Sequence, residues 1–371
     1  PSSTGGSRDS ARNSPEETGE TMKILFPCDV DPNPFVRTLA DEMRARGHLV
    51  DQGVDFFWNS AEGYDVVHFQ WPNAVFRWND ADVTDARIAE ALGRIAFFRS
   101  GGARILITRH NERPHWANPQ LTKLYEAIEG ACDTVVHLGE ASVRSAKALP
   151  HMAKLKHVVV PHHVYPGIDR AVSREAARAR LGIADGERVM LAFGAFRNDE
   201  ERLLALQAAA DCGVRLLAPR LFQFPVRRKG QGIDWTEFRR RLRFLRFGVF
   251  SANRMVSDED LPNYFAAADV VFLQRIGTLN SGNLPMAYSF GKVVVGPDCG
   301  NIGEILKSTG NPTFDPKDAK SVSTAVRRGF ELAAAGKGAE NRARAEADWG
   351  VGKVVSQLLA AYVPAKEGKG V

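Results

Sequence analysis

A chain of 371 residues, 44% hydrophobic and 25% charged, is long enough for more than one hydrophobic core and unlike a disordered or fibrous protein. No run approaches the roughly twenty apolar residues of a membrane span and no secretory leader opens the sequence, so a cytoplasmic protein is expected. The formal charge of +5 is a mild excess that suits a phosphorylated substrate, anionic lipid or nucleic acid without choosing among them, and the scattered Cys28, Cys132, Cys212 and Cys299 suggest neither a disulfide framework nor a zinc site.

Residues 1–21 are rich in Ser, Gly and Glu and are expected to form a disordered tail. Lys23–Phe26 then predicts a strand, 29–34 a polar turn, and 35–46 an amphipathic helix ended by Gly47. Apolar runs at 65–69, 104–108, 134–137 and 158–160 predict further strands, each running into polar or aromatic residues. In open α/β sheets the ligand crevice lies beyond the carboxyl ends of the strands, which gathers Asp29, Asn33, His68, Trp71, His110, Asn111 and His115 into one region. One histidine at a strand end is usually structural; several in successive loops make His68, His110 and His115 candidates for chemistry. Their separate loops do not form a metal cluster. A helix and polar loop over 171–185 link to a second half, with strands expected at 188–193, 215–218 and 248–250, a helix at 261–267, and a final amphipathic helix at 349–362. The expected division is thus an N-terminal Rossmann-like domain over 22–170, a C-terminal one over 186–348, and a closing helix and tail over 349–371.

The centre of the second half is the stretch 269–297, which reads as strand, polar glycine loop, short helix and strand. Ser281-Gly282-Asn283 sits where the helix begins, with side chains able to cap and a glycine permitting close approach of the backbone. Free N–H groups, the helix dipole and nearby Arg275 would suit a phosphate or diphosphate; an ordinary capped helix is the plainer reading of those three residues alone. A further feature is the basic stretch holding Arg220, Arg227, Arg228, Lys229, Arg239, Arg240, Arg241, Arg243 and Arg246, opposed only by Asp234 and Glu237. Its plainest reading is a solvated surface. With no recognised module and little aromatic interleaving beyond Phe222, Phe224 and Trp235, nucleic acid is not an expected partner.

These residues together resemble a known pattern. Asn33-Pro34-Phe35 with a helix ending Arg46-Gly47-His48, Asp65-Val-Val-His68-Phe-Gln-Trp-Pro72, Thr108-Arg-His110-Asn111 with Pro114-His115, and Gly139-Glu-Ala-Ser142 occur in that order. Val160-Pro161-His162, Phe193-Gly194 with Arg197, and Ser281-Gly282 followed by Leu284, Ala287, Ser289-Phe-Gly291 and Val293-Val-Val295 continue it. From Met22 to about Pro364 the chain resembles the GT-B glycosyltransferases of bacterial surface and exopolysaccharide synthesis, in the family 4-like group with a Ser-Gly donor loop.

The resemblance implies an α/β GT-B fold, two Rossmann-like domains facing across a cleft, and transfer of a hexosyl-type sugar. The donor would be a nucleotide-diphosphate sugar, needed as substrate with no cofactor besides. The acceptor would be a glycan or lipid-linked saccharide, with peripheral contact at the inner membrane as a further expectation. Carried over by position, Ser281, Gly282, Asn283, Arg197, Arg275 and Asn280 bind the donor. His110, Asp29 and His115 become the catalytic candidates; Asn33, His68, Trp71 and Asn111 face the acceptor.

Two departures stand out. Retaining members resemble one another in a pair of glutamates eight positions apart, where this chain has Thr278 and Met286, and the basic residue common soon after the Arg197 position is absent unless Arg202 replaces it. The lost glutamates leave an inverting displacement open, which needs a general base, and also leave open a non-catalytic sugar-nucleotide or glycan-binding relative that supports a partner transferase. Arg197 and the 281–283 helix start would balance the leaving charge in place of a metal, so transfer is expected to be metal-independent.

Overall fold

The structure is a computed structural model and describes residues 20–30, 34–112, 118–168, 170–222, 227–228, 232–244 and 256–363. Asn33 and His115, and the strand expected at 248–250, lie outside these residues.

The first half is a six-stranded parallel sheet, β1 (Lys23–Phe26), β2 (Leu49–Gln52), β3 (Val66–Phe69), β4 (Arg104–Arg109), β5 (Thr134–His137) and β6 (Lys156–Val159), in spatial order β2-β1-β3-β4-β5-β6. β3 and β5 are buried at every position, the state that covering helices on both faces impose on parallel strands. The helices are α1 (Phe35–Ala45), α2 (Val54–Asn59), α3 (Asp85–Ser100), α4 (Pro119–Gly130) and α5 (Glu140–Lys147). Local chemistry sets where they start: Thr84 Oγ1 accepts from Arg87 N, and Asn118 Oδ1 from Gln120 N with Pro119 in the first turn. Helix α5 differs, because Gly139 stands at its N-cap and has no side chain to offer.

After α6 (Arg174–Leu181) comes a second sheet of β7 (Val189–Leu191), β8 (Arg215–Leu217), β11 (Val270–Phe272), β12 (Val293–Pro297) and β13 (Thr313–Phe314), all parallel, in order β13-β12-β11-β7-β8. Between β8 and β11 lies a two-stranded antiparallel ribbon, β9 (Arg227–Arg228) with β10 (Gly232–Ile233). The helices of this half are α7 (Asp199–Cys212), α8 (Trp235–Phe244), α9 (Leu261–Ala267), α10 (Asn283–Ser289), α11 (Gly300–Ser308), α12 (Ala319–Ala334) and α13 (Lys337–Asp348). The expected strand, glycine loop, helix and strand of 269–297 is thus β11, loop, α10 and β12. Helix α10 is held by direct backbone packing: a Cβ at Gly338 on α13 would lie 1.9 Å from the carbonyl oxygen of Gly291, so only glycine fits there.

The last helix, α14 (Val351–Tyr362), returns to the first sheet. Arg46, the C-cap of α1, donates to Gly352 O and Ser356 Oγ, both at 2.7 Å, and Arg104 donates to Tyr362 O at 2.8 Å. One buried apolar cluster includes Ile24 and Leu106 of the first half, Val189 and Leu273 of the second, and Trp349 and Tyr362. The two sheets are therefore joined by a shared core as well as by the chain.

In each sheet the strand order turns at one point, between β1 and β3 and between β7 and β11. These are the crevices where an open α/β sheet takes its ligand.

Candidate functional site

The second sheet builds its crevice around one buried carboxylate. Asn198 caps α7 by accepting from Glu201 N at 2.8 Å, which places Glu201 on the first turn, 3% exposed. In a capping box such a residue reaches back to the cap's own N–H. Here Glu201 Oε2 accepts from Arg197 N and from Arg275 Nη1, each at 2.7 Å. Burial lowers the pKa of Arg275, Glu201 opposes that shift, and the neighbouring Arg197 adds to it by repulsion. One guanidinium, that of Arg275, and one backbone N–H, that of Arg197, thus meet on one carboxylate, and the Arg197 guanidinium lies near enough to repel Arg275, leaving a net positive charge at the β7/β11 crevice. The Arg197 side chain is exposed, and among the described residues it makes no ion pair or hydrogen bond.

The start of α10 closes the other edge of that crevice. Asn283 Nδ2 donates to Phe193 O at 2.8 Å, tying the helix start to the loop after β7, where Gly194 takes a φ of 91°. Ser281 Oγ accepts from Asn283 N at 3.3 Å. A Cβ at Gly282 would lie 2.9 Å from Tyr165 Oη and 3.4 Å from His162 Nε2, so any side chain there would press on the segment that follows β6.

Across from it, the first sheet presents His110. Its ring stacks on Trp71 with centroids 4.3 Å apart, meets Phe35 edge-on at 5.0 Å, and places Nε2 2.9 Å from Gln70 Oε1. Burial, with some repulsion from His68, pushes His110 down to about 3. The ring is therefore neutral at physiological pH; with Nε2–H donating to Gln70, Nδ1 is left as an acceptor. Trp71 also meets the half-exposed Trp78 at 5.6 Å. Trp78 and Arg77 both have left-handed backbones, φ 62° and 51°, a conformation that non-glycine residues keep only where surrounding structure holds them. Arg77 in turn pairs with Asp29 and Asp55, both at 2.9 Å. Asp29 also accepts from Val54 N at 3.0 Å.

Several expectations change. His68 is completely buried, with Nδ1 2.7 Å from Tyr362 Oη and Nε2 2.9 Å from Thr108 Oγ1, so it fixes α14 to the sheet and cannot face an acceptor. Arg202 is 5% exposed and donates to Asp199 Oδ1, Leu221 O and Phe196 O, which excludes it as a second phosphate-facing cation. Asn280 was expected at the donor, yet both polar atoms of its side chain are engaged: Nδ2 donates to His110 O at 2.9 Å and Oδ1 accepts from Asn301 Nδ2 at 2.7 Å. Asn111 follows His110 on the same loop and is partly exposed. Of the positions of the lost glutamates, Thr278 donates to Asn280 O at 3.0 Å and Met286 lies in the core.

Sequence reasoning missed Glu201, Gln70 and Asn301. The spacing Asn198-x-x-Glu201 is a legible helix-start signal, and Gln70 adjoins Trp71 at a strand end; nothing local marks Asn301. Among the described residues no group of three His, Cys, Asp or Glu side chains is arranged to hold a metal ion, and no helix is long and apolar enough to cross a membrane.

No protein-family model matches the chain, and no curated protein does. Solved structures do. Sucrose-phosphate synthase from Thermosynechococcus elongatus is similar with a TM-score of 0.66 at 16% identity, covering 92% of this chain and 98% of that one. A glycosyltransferase from Rickettsia africae gives 0.66 at 14% identity, covering 93% and 98%. HepE from Anabaena, in complex with UDP and glucose, gives 0.62 at 14% identity, covering 92% and 99%. Two facing parallel-sheet domains, the helix that returns across them and this likeness over nearly the whole chain together establish that the protein has the GT-B fold.

Proposed function

We propose that the protein is a glycosyltransferase that moves a hexosyl-type sugar from a nucleotide-diphosphate sugar to a glycan or lipid-linked saccharide in bacterial exopolysaccharide synthesis. The observation that carries this reading is buried Glu201 at the β7/β11 crevice, which holds the Arg275 guanidinium and the Arg197 backbone and leaves the Arg197 side chain exposed beside them, with His110 on the facing domain. The UDP and glucose in the HepE structure support a nucleotide sugar as ligand of this fold.

The chemistry follows from the charges. A departing nucleoside diphosphate needs its negative charge balanced as the sugar–oxygen bond breaks. Arg197 supplies a guanidinium free to fork onto two oxygens, while Arg275, fixed by Glu201, adds background positive potential. This arrangement supports transfer without a metal. Neutral His110 is too weak a base to deprotonate a hydroxyl; its Nδ1 accepts a hydrogen bond from one and orients the sugar. The base then falls to a carboxylate of the first-domain loops, Asp29 or Glu112. Trp71 and Trp78 offer an aromatic surface beside His110 for a saccharide acceptor.

Helix α8 supports the peripheral contact with the inner, cytoplasmic membrane face. Glu237, Arg241 and Phe244 point inward, while Trp235 (60% exposed), Leu242 (44%) and Arg239 lie outward beside Ile233 (49%). An apolar stripe next to Arg239 suits an anionic lipid surface, to which a basic residue adds about 1 kcal/mol. Trp235→Ala with Leu242→Ala is expected to abolish co-sedimentation with phosphatidylglycerol vesicles at low salt; wild-type protein left in the supernatant overturns the contact.

A second reading is a sugar-nucleotide-binding protein that supports a partner transferase, favoured by the absence of carboxylates at Thr278 and Met286. Turnover separates the two. Release of nucleoside diphosphate from a panel of UDP-, ADP- and GDP-hexoses should continue in excess chelator. Binding without release indicates the supporting role, and loss on chelation with recovery in Mg²⁺ or Mn²⁺ refutes metal independence.

A further inference from the structure

We propose that Asn280 and Asn301 form a latch between the two domains that positions His110 against the donor crevice. This rests on the transferase reading for its catalytic consequence, though not for its geometry.

Helix α5 cannot cap itself, and the other domain does so instead. Ala141 N donates to Glu304 Oε2 at 2.8 Å and Ser142 N to Asn301 Oδ1 at 3.1 Å, both acceptors on α11. Arg144 pairs with the same Glu304. A Cβ at Gly139 would lie 2.6 Å from Asn301 Cγ, so the glycine that removes the local cap also makes room for the distant one. Asn301, 2% exposed, uses its other amide atom on Asn280, whose Nδ2 holds the carbonyl of His110. The next residue back, Arg109, donates to Ser142 O at 3.1 Å and Ser145 Oγ at 2.6 Å, returning to α5.

The bonds therefore make a closed circuit: α5, Asn301, Asn280, His110, Arg109 and α5 again. It crosses the domain junction twice, beside a cavity of about 30 Å³ lined by Leu138, His162, Asn280, Ser281 and Trp349 that has room for one water. A buried amide or helix N–H left unpaired is destabilising, so the circuit favours full closure over partial separation. When the domains part, the His110 carbonyl and the donor loop are released in one step. Asn280 and Asn301 are in this sense positioning residues; neither needs to touch substrate.

The test compares Asn301→Ala, Asn301→Asp and Asn280→Ala in the full chain, with circular dichroism to confirm folding. Asn301→Ala is expected to speed amide exchange at Ala141 and Ser142 by about 10-fold or more, to raise the radius of gyration in solution scattering, and to lower kcat by about 10- to 100-fold with donor KM changed less than about 3-fold. Asn301→Asp keeps an acceptor for Ser142 N and loses the donor to Asn280, so it should restore slow exchange and leave kcat low. Asn280→Ala should lower kcat similarly with α5 still protected, and serves if the Asn301 variants do not fold. Unchanged exchange in Asn301→Ala, or wild-type kcat in both Asn301→Asp and Asn280→Ala, overturns the latch. If the wild-type protein turns over no sugar nucleotide, the transferase reading fails, while exchange and scattering still decide whether the latch exists.

Discussion

Arg197→Ala is expected to weaken nucleoside diphosphate binding by about 10- to 100-fold, the effect of one charge-assisted hydrogen-bonded contact of about 1.5–3 kcal/mol. The variant should fold as stably as wild type to within about 0.5 kcal/mol, because the side chain is exposed and makes no hydrogen bond or ion pair among the described residues that folding would lose. Arg197→Lys keeps the charge without the planar fork and should fall between the two. Arg275→Ala is a poorer test. It strips the 2.7 Å partner from Glu201, whose side chain is 4% exposed, and a buried carboxylate losing its cation costs about 3–5 kcal/mol. Calorimetric titration of both variants, with denaturant melts, separates lost ligand contact from lost fold. Equal affinity in folded Arg197→Ala removes this residue from the donor site.

The second large effect is acid lability. Burial pushes His68, His110, His137 and His162 down to about 3 from an ordinary 6.5. Below pH 6.5 the unfolded chain takes up protons at these rings while the folded chain does not, so stability falls as pH drops from 6.5 toward 3. At pH 5 each ring costs about 2 kcal/mol, and the four together at most about 8, against a typical total of about 5–15 kcal/mol. The urea midpoint should therefore be flat above pH 7 and decline steeply from pH 6.5 to 5. A midpoint unchanged at pH 5 would show that these rings titrate normally. His68 is the most exposed to this effect in consequence, since protonating it leaves a charge between Thr108 and Tyr362 at the seat of α14.

Much of the fold is written locally. Parallel strands buried on both faces read as apolar runs, which is why β3, β5, β11 and β12 were legible from Val66-Val67, Val135-Val136, Val270-Val271 and Val293-Val294-Val295. Strand β2 was not, because it begins with Leu49, 61% exposed, and carries Asp51 and Gln52 at the sheet edge. The site divides in the same way. Trp71, His110, Arg197 and Gly282 stand at strand or helix ends, where the sequence position itself suggests ligand contact. The roles of His68 and Asn280 depend on partners 294 and 170 residues away, and no local pattern encodes those distances. Asn301 is hidden for the same reason: what it caps is a helix of the other domain.

Hydrogen exchange with and without saturating UDP, ADP or GDP tests the placement of the donor most directly, since bound ligand protects the segments that hold it. Protection should concentrate at 193–202 and 275–283 in the second domain and disappear in Arg197→Ala. Protection confined to the first domain, or no protection by any of the three, would contradict a donor diphosphate held by Arg197 and the start of α10.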